Sequence, residues 1–279
     1  MKIFADLQIH SINSDGSLDY QDLVKLAAKK RLKAISITDH NSLSPLFKFG
    51  SQRKISSTLG INLIEGLEIS TRYENVVIHL LGYSKEFIHR ETLNQKLETV
   101  RNGYNKRGKL ILREVNKMGF DISEEDFSNY KYTYLHKNLI AKVCSQKFGK
   151  DLEYWKKIHV EEDDFFMNTI DAIKLIKRSR GKSIIGHPGQ IIKNIGKTKF
   201  LDLIKELLRI GLDGVELNHP SNDKYQSELK QVVEQLNPEL LITGGSDYHS
   251  DLDSKVEIGD YGLDEESFQK FIEKLNHKK

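Results

Sequence analysis

Apolar residues recur along this chain in two alternating rhythms. Short runs at Ile3 to Leu7, Ala34 to Ile37, Ile61 to Ile64, Val76 to Leu81, Ser183 to Ile185 and Leu240 to Ile242 suit buried strands. Between the first two, Leu23, Leu26 and Ala27 fall at helical spacing, with Ser17 or Asp19 as the start signal. The pattern predicts a strand at 2–9, a helix at 19–31 and a strand at 33–38. Two more strands follow at 61–69 and 76–83, joined by a polar turn at Arg72 to Asn75. From 166 the rhythm returns, with a helix capped by Thr169 that turns Ile170, Ile173 and Ile176 inward and ends at Gly181. Strand 182–186, helix 199–210, strand 213–217, helix 223–236, strand 240–244 and helix 264–276 complete the series. Phe268, Phe271, Ile272 and Leu275 give the last helix a core-facing stripe. Strands alternating with helices predict an α/β fold with mostly parallel strands.

Between about 86 and 165 the strand rhythm is lost. Leu93, Leu97, Val100, Tyr104, Leu110, Leu112 and Val115 predict one or two long helices, and 136–148 predicts another. The chain therefore divides into a main domain, 1–85 with 166–279, and a helical insertion, 86–165. Lys106, Arg107, Lys109, Arg113 and Lys117 in the insertion read as a solvated helix face.

The chemistry sits where the apolar runs stop. Gln8 and His10 end the first run and share a strand face by their two-residue spacing. Asp15 follows in a turn that Gly16 permits. Asp39-His40, Glu68, His79, His187, and Asp247 with His249 mark later runs. Singly these are bland: Asp15-Gly16 is a plain turn, and His79 in its apolar run is a core histidine. Their recurrence after strand upon strand is not bland, because it predicts one mouth of a β/α barrel, where strand C-termini converge. Imidazole and carboxylate without thiolate suit Zn²⁺, Mn²⁺ or Fe. Glu68 can bridge two cations, and Asp39 can orient an imidazole from behind. The pattern points to metal-dependent hydrolysis.

Bulk numbers narrow the field. Of 279 residues, 38 % are hydrophobic and 30 % charged, which fits a globular protein with a substantial core. Forty-three basic and 40 acidic side chains leave +3, so no general nucleic-acid surface is implied, and a nuclease tracking long chains is disfavoured. The single cysteine, Cys144, excludes an internal disulfide and reads as a small core residue. Met1 to Asp6 enters a strand directly, and no apolar stretch approaches the ~18 residues of a membrane span. A cytoplasmic protein is expected, with no membrane and no protein partner.

Asp6-Leu7-Gln8-Ile9-His10-Ser11 through Ser14-Asp15-Gly16, with Ile37-Thr38-Asp39-His40-Asn41, resembles the first two motifs of the PHP (polymerase and histidinol phosphatase) superfamily. Gly66 to Ser70, His79 to Tyr83, Gly186 to Gly189, Gly214 to Glu216 and Gly244 to His249 resemble the later motifs. The resemblance spans nearly the whole chain. It is closest to the group containing the nucleoside 3′,5′-bisphosphate phosphatase and 5′-3′ exoribonuclease. It implies a distorted (β/α)7 barrel, two or three divalent metals, and hydrolysis of a phosphate ester through a metal-activated water. The substrate implied is a small phosphorylated one, a nucleotide or short oligonucleotide first. Another phosphomonoester such as histidinol phosphate, or a decayed metal-binding module, stands as the alternative.

Carried over by position, one metal takes His10, Glu68 and Asp247 with Gln8 in place of a family histidine. A second takes Glu68, His79 and His187, and a third takes Asp15, His40 and His249. Tyr134-Leu135-His136 resembles a family Arg-Pro-His segment facing the active site. It keeps His136, but Tyr134 cannot grip phosphate as a guanidinium does. His136, His219 after its strand and, more loosely, Arg107 are candidate substrate contacts. His89, His159 and His277 read as surface residues.

Overall fold

The pairing of strands shows how this sequence curls on itself. In the computed structural model, which describes residues 2–43, 57–130, 132–160, 165–236, 240–250 and 255–276, eight strands form one sheet. They are β1 (Ala5–Ile9), β2 (Ala34–Ile37), β3 (Asn62–Tyr73), β4 (Val76–Ser84), β5 (Met167–Asn168), β6 (Lys182–Ile185), β7 (Gly214–Asn218) and β8 (Leu241–Gly244). Seven of them hydrogen-bond in the order β1-β2-β3-β4-β6-β7-β8, and β5 pairs with the far end of β3. All neighbours are parallel except β4, which runs against both β3 and β6. Past the strand ends the path meets itself: Asp247 N donates to Gln8 O (2.9 Å) and His10 N to Tyr248 O (2.8 Å). The fold is a curled α/β barrel, as the strand rhythm and the family resemblance together imply.

Helices cover the outside. Asp19 starts α1 (Tyr20–Lys29) by accepting from Asp22 N (2.9 Å), and Leu23, Val24 and Ala27 pack on Ile9, Ile35 and Ile37. Next along the chain are α2 (Arg90–Lys117), α3 (Lys137–Phe148) and α4 (Leu152–Lys156). Then come α5 (Thr169–Arg178), α6 (Pro188–Ile195), α7 (Lys197–Ile210), α8 (Gln226–Leu236) and α9 (Glu265–Asn276). α5 to α8 bury their apolar stripes in the largest core, against β3, β4, β6 and β7. Phe268 and Phe271 of α9 close another core with Ala5, Leu7, Tyr83 and Leu241.

Three details depart from the sequence pattern. β3 continues to Tyr73 because β4 folds back on it, pairing Tyr73 with Val76, so Glu68 lies in mid-strand rather than at a strand end. Asn168, not Thr169, caps α5, accepting from Ile170 N (2.9 Å), while the Thr169 hydroxyl is buried against Thr71 Oγ1 (2.8 Å). α6 has no counterpart in the sequence pattern, which assigns no element between strand 182–186 and helix 199–210. Pro188 opens the helix, where its missing N–H costs nothing. α2 is one helix of 28 residues, with its first half, Leu93 and Leu97, in the barrel core. Its second half, Ile111 and Val115, joins a separate core with Phe127, Ile140, Cys144 and Trp155. His89 and His159 are exposed, His277 lies outside the described residues, and among those residues no helix is long and apolar enough to cross a membrane.

The closure leaves no room at residue 245, where a Cβ would lie 2.4 Å from Gln8 N. Gly245→Ala should therefore lower stability by ~1–3 kcal/mol, the usual cost of overpacking. Chemical denaturation of both proteins checks this, and an unchanged midpoint would mean that the strand ends are not sealed here.

Candidate metal centre

β1 carries polar residues at alternate positions, Asp6 and Gln8, with His10 just beyond, and all three are fully buried. A bulge in its pairing with β2, between Asp6 and Ile9, re-aims the strand end. Gln8 Nε2 donates to Glu68 Oε2 (3.0 Å). His10 Nε2 lies 3.2 Å from that oxygen and 3.0 Å from Asp247 Oδ1. The loop after β1 doubles back tightly, since a Cβ on Gly16 would meet His10 O at 2.2 Å. The turn brings Asp15 Oδ1 within 3.6 Å of His10 Nδ1 and 3.2 Å of His249 Nε2.

Glu68 receives side chains from the neighbouring strands. Because β4 is antiparallel, His79 lies near the start of its strand at the same mouth, opposite Ser70, and its Nδ1 reaches Glu68 Oε1 (2.6 Å). His187 Nε2 is 3.2 Å from Glu68 Oε1 and 3.2 Å from His79 Nδ1. His40 stands between the two carboxylates, with Nδ1 3.8 Å from Glu68 Oε2 and Nε2 3.7 Å from Asp15 Oδ2. All nine residues singled out from the sequence thus meet in one place.

The donor set fits divalent cations. Three groups have ligand atoms within 4.8 Å of one another: His10, Asp15, His40 and His249; His40, Glu68 and His79; and His10, Glu68 and Asp247. Bonds of ~2.0–2.2 Å to a shared ion put neighbouring ligands roughly 3–3.5 Å apart, close to the separations seen around Glu68. Gln8 Oε1 and His187 Nδ1 are buried without a hydrogen-bond partner among the described residues. His249 Nδ1 donates to Asp247 O (2.6 Å), which leaves its Nε2 to face Asp15.

Charge is shared tightly here. Burial pushes the Glu68 carboxyl up, but His40 and His79, with hydrogen bonds from His10 and His187, hold it well below the usual range. Asp15 is likewise pushed up by burial and held well below by His249 and His40. Burial pulls His40 down to about 4, so it stays neutral. Burial also pulls on His249, yet Asp15 lifts it to about 9. For His10, hydrogen bonds to Asp247 and Glu68 overcome burial and hold it well above 6.5.

The remaining candidates divide. His219 is buried beside the cluster, its Nδ1 accepting from Ser221 N (3.0 Å) and its Nε2 3.5 Å from Asp247 Oδ2. A neutral His219 therefore carries its proton on Nε2. His136 caps α3, with Nδ1 accepting from Leu139 N (3.2 Å), and burial holds its pKa low. Arg107 is half-buried on α2, where its charge reaches the Tyr104 phenol, whereas Lys106, Lys109, Arg113 and Lys117 are exposed. Among the described residues no imidazole donates to Asp39. It accepts from Ser11 N (2.8 Å), Ser11 Oγ (2.7 Å), Ser14 Oγ (2.8 Å) and the Tyr20 hydroxyl, and so fixes the loop that carries Asp15.

Sequence reasoning missed three supports of the site. Asp6 accepts from Ser246 N (3.0 Å), Ser246 Oγ (2.6 Å) and Gly259 N (2.9 Å). Its alternation with Gln8 was the available signal. Glu216 accepts from His187 N (2.8 Å), and burial holds its pKa well above the carboxylate range. Arg101 of α2 donates to the Asn41 carbonyl, and nothing in a helix interior announces such a contact.

The model of the PHP domain family matches residues 6–220. A phosphoribosyl 1,2-cyclic phosphate 1,2-diphosphodiesterase of Eggerthella lenta is 24 % identical over 284 residues, covering 91 % of this chain and 97 % of that protein. The 5′-3′ exoribonuclease Rnm of Escherichia coli is 27 % identical, covering 88 % and 85 %. A Bifidobacterium adolescentis crystal structure, assigned as a metal-dependent phosphoesterase, superposes with a TM-score of 0.80 at 22 % identity. It covers 96 % of this chain and 95 % of that one, which shows the shared fold.

The protonation pattern has a measurable consequence. With a pKa of about 9, His249 is protonated at pH 7 in the metal-free protein, and His10 lies on the same side. A cation can take these nitrogens only by displacing protons. Metal titration at pH 7 should release about one proton or more per chain, seen as a buffer-dependent heat, and affinity should fall as pH is lowered. Binding without proton release would remove His10 and His249 from the ligand set.

Proposed function

The chain belongs to the PHP domain family, and from that membership we propose that this metal-dependent phosphoesterase hydrolyses a phosphate ester of a nucleotide or short oligonucleotide. The observation that carries the reading is the convergence of five imidazoles, three carboxylates and an amide on one buried mouth. Two or three cations, Mn²⁺, Zn²⁺ or Fe, are assigned to it. His10, Glu68 and Asp247 with Gln8 would hold one, Glu68, His79 and His187 a second, and Asp15, His40 and His249 a third. Cations there supply charge to phosphoryl oxygens and acidify a water to hydroxide near neutral pH.

The chain's own residues do the rest. Glu68 offers one oxygen to the His10 side and the other to the His79 and His187 side, so one carboxylate serves two positions. His219, held by Ser221 N, presents an Nε2–H that can donate to a phosphate oxygen. His136 and Arg107 lie on the insertion side, and residues 86–165 act as a cap selecting the leaving group. The Eggerthella relative is named for a phosphoribosyl cyclic phosphate and the Escherichia relative as an exoribonuclease, which supports a nucleotide-like substrate. Such a substrate suits a cytoplasmic setting.

Elemental analysis followed by a phosphate-release screen over nucleoside mono- and bisphosphates and short oligoribonucleotides tests the reading. Glu68→Gln should cut turnover at least ~100-fold, since losing even an outer partner of a ligand costs 10–100-fold. Its melting temperature should hold, and full activity would show that Glu68 is no ligand.

Gln8 tests the same assignment from the opposite direction. Gln8→His places an imidazole beside His10, and calorimetric titration should show the weakest cation binding more tightly, with a shift toward Zn²⁺ or Mn²⁺. Identical isotherms for the two proteins would mean that residue 8 does not face the cations.

A further inference from the structure

Four aromatic rings stand at the mouth yet belong to none of the four hydrophobic cores: Tyr104, Tyr134, Phe165 and Phe166. They form one row. Tyr134 and Tyr104 lie 5.2 Å apart, Tyr104 and Phe165 4.8 Å, and Phe165 stacks on Phe166 at 4.8 Å. The Arg72 guanidinium lies over Phe166, 4.6 Å from its centroid. Tyr104, Phe165, Phe166 and Arg72 all keep part of their surface exposed.

The row is built on the strand face that carries Glu68. Two residues on, Ser70 Oγ accepts from the Tyr104 hydroxyl (3.0 Å), and two further on, Arg72 covers Phe166. At a rise of ~3.3 Å per residue, the Phe166 end stands roughly 13 Å along β3 from Glu68. The row is also rigid. Phe165 sits against the backbone of α2 at Gly103, where a Cβ would lie 2.2 Å from the ring. Packing alone would be served by aliphatic side chains merged into a neighbouring core. A guanidinium held over Phe166, beside rings that keep part of their surface exposed, offers instead what a planar partner needs, a flat cation to lie on and aromatic edges around it.

We propose that the row Tyr104–Phe165–Phe166 with Arg72 is a stacking subsite for the planar ring of the substrate's leaving group, a nucleobase. It deepens the phosphoesterase reading but depends on it only for the phosphate end. The rings select esters that carry a base over those that do not.

Adenosine, which has no phosphate, separates the two readings. Titrated calorimetrically into the full chain, it should bind wild type, bind Phe166→Leu about tenfold more weakly, and bind Phe166→Trp at least as well as wild type. Hydrolysis of adenosine 3′,5′-bisphosphate should show a KM about tenfold higher in Phe166→Leu with kcat unchanged, while ribose 5-phosphate kinetics stay as in wild type. Where Phe166→Leu fails to fold by circular dichroism, Arg72→Gln takes its place with the same expectation. No adenosine binding to wild type, equal binding by wild type and the leucine variant, or equal losses on both esters would overturn the subsite. Adenosine binding that responds to Phe166 in a protein that hydrolyses neither ester would uphold the subsite and overturn the phosphoesterase reading.

Discussion

One fully buried carboxylate organises the mouth of this barrel. Glu68 faces Gln8, His10, His40, His79 and His187, drawn from four other strands, and has no contact with bulk water. Burying a lone carboxylate is costly unless partners compensate, and here imidazoles supply the compensation. The same need shapes the sheet around it. β3 must run past Glu68, and β4 must return antiparallel, for His79 to reach it from the next strand. Without that reversal, a parallel neighbour would start at the opposite end of the barrel.

A second tier of acids holds the backbone rather than the ligand atoms. Asp6 binds the Gly245–Ser246 segment, Asp39 the loop bearing Asp15, and Glu216 the amide of His187. These contacts sit beside backbone in the left-handed region, at Asn41, His187 and Asp247. Such conformations cost ~1–3 kcal/mol each in residues other than glycine and persist only when their surroundings hold them. Asn41 is held by its own N–H to Glu68 O (2.6 Å), by its side chain on Ser70 N (2.9 Å) and by Arg101 on its carbonyl. Strain and its restraint lie within a few residues of the proposed ligands.

Much of this was legible in the sequence because the candidate ligands lie where strand rhythm breaks, a local signal. Gln8, His10, His40 and His187 could be placed by counting along apolar runs. Asp15 needed only Gly16 beside it. What stayed hidden depends on pairing between distant segments. The reach of β3 to Tyr73 is set by β4, and the true cap of α5 became clear only once Thr169 was seen engaged with Thr71. Asp39 looked like a partner for an imidazole because it adjoins His40, but its side chain faces the opposite loop. Arg101 and the aromatic row come together only through the packing of α2 on the barrel, which periodicity cannot report.

The seal between the first strand and the segment after β8 also sets a timetable. Asp6 and its partner Ser246 are 240 positions apart, and Gln8 meets Asp247 across the same seam. A ribosome adding ~5–20 residues per second needs roughly 10–50 seconds to deliver the second half of that seam after the first has emerged. Through that interval the nascent chain displays Gln8, His10, Asp15 and His40 without Asp247 or His249. The two proposed sites that need Asp247 or His249 stay incomplete through it, whereas Glu68, His79 and His187 are all present once residue 187 has been added. The distance in sequence works as a delay for those two sites alone.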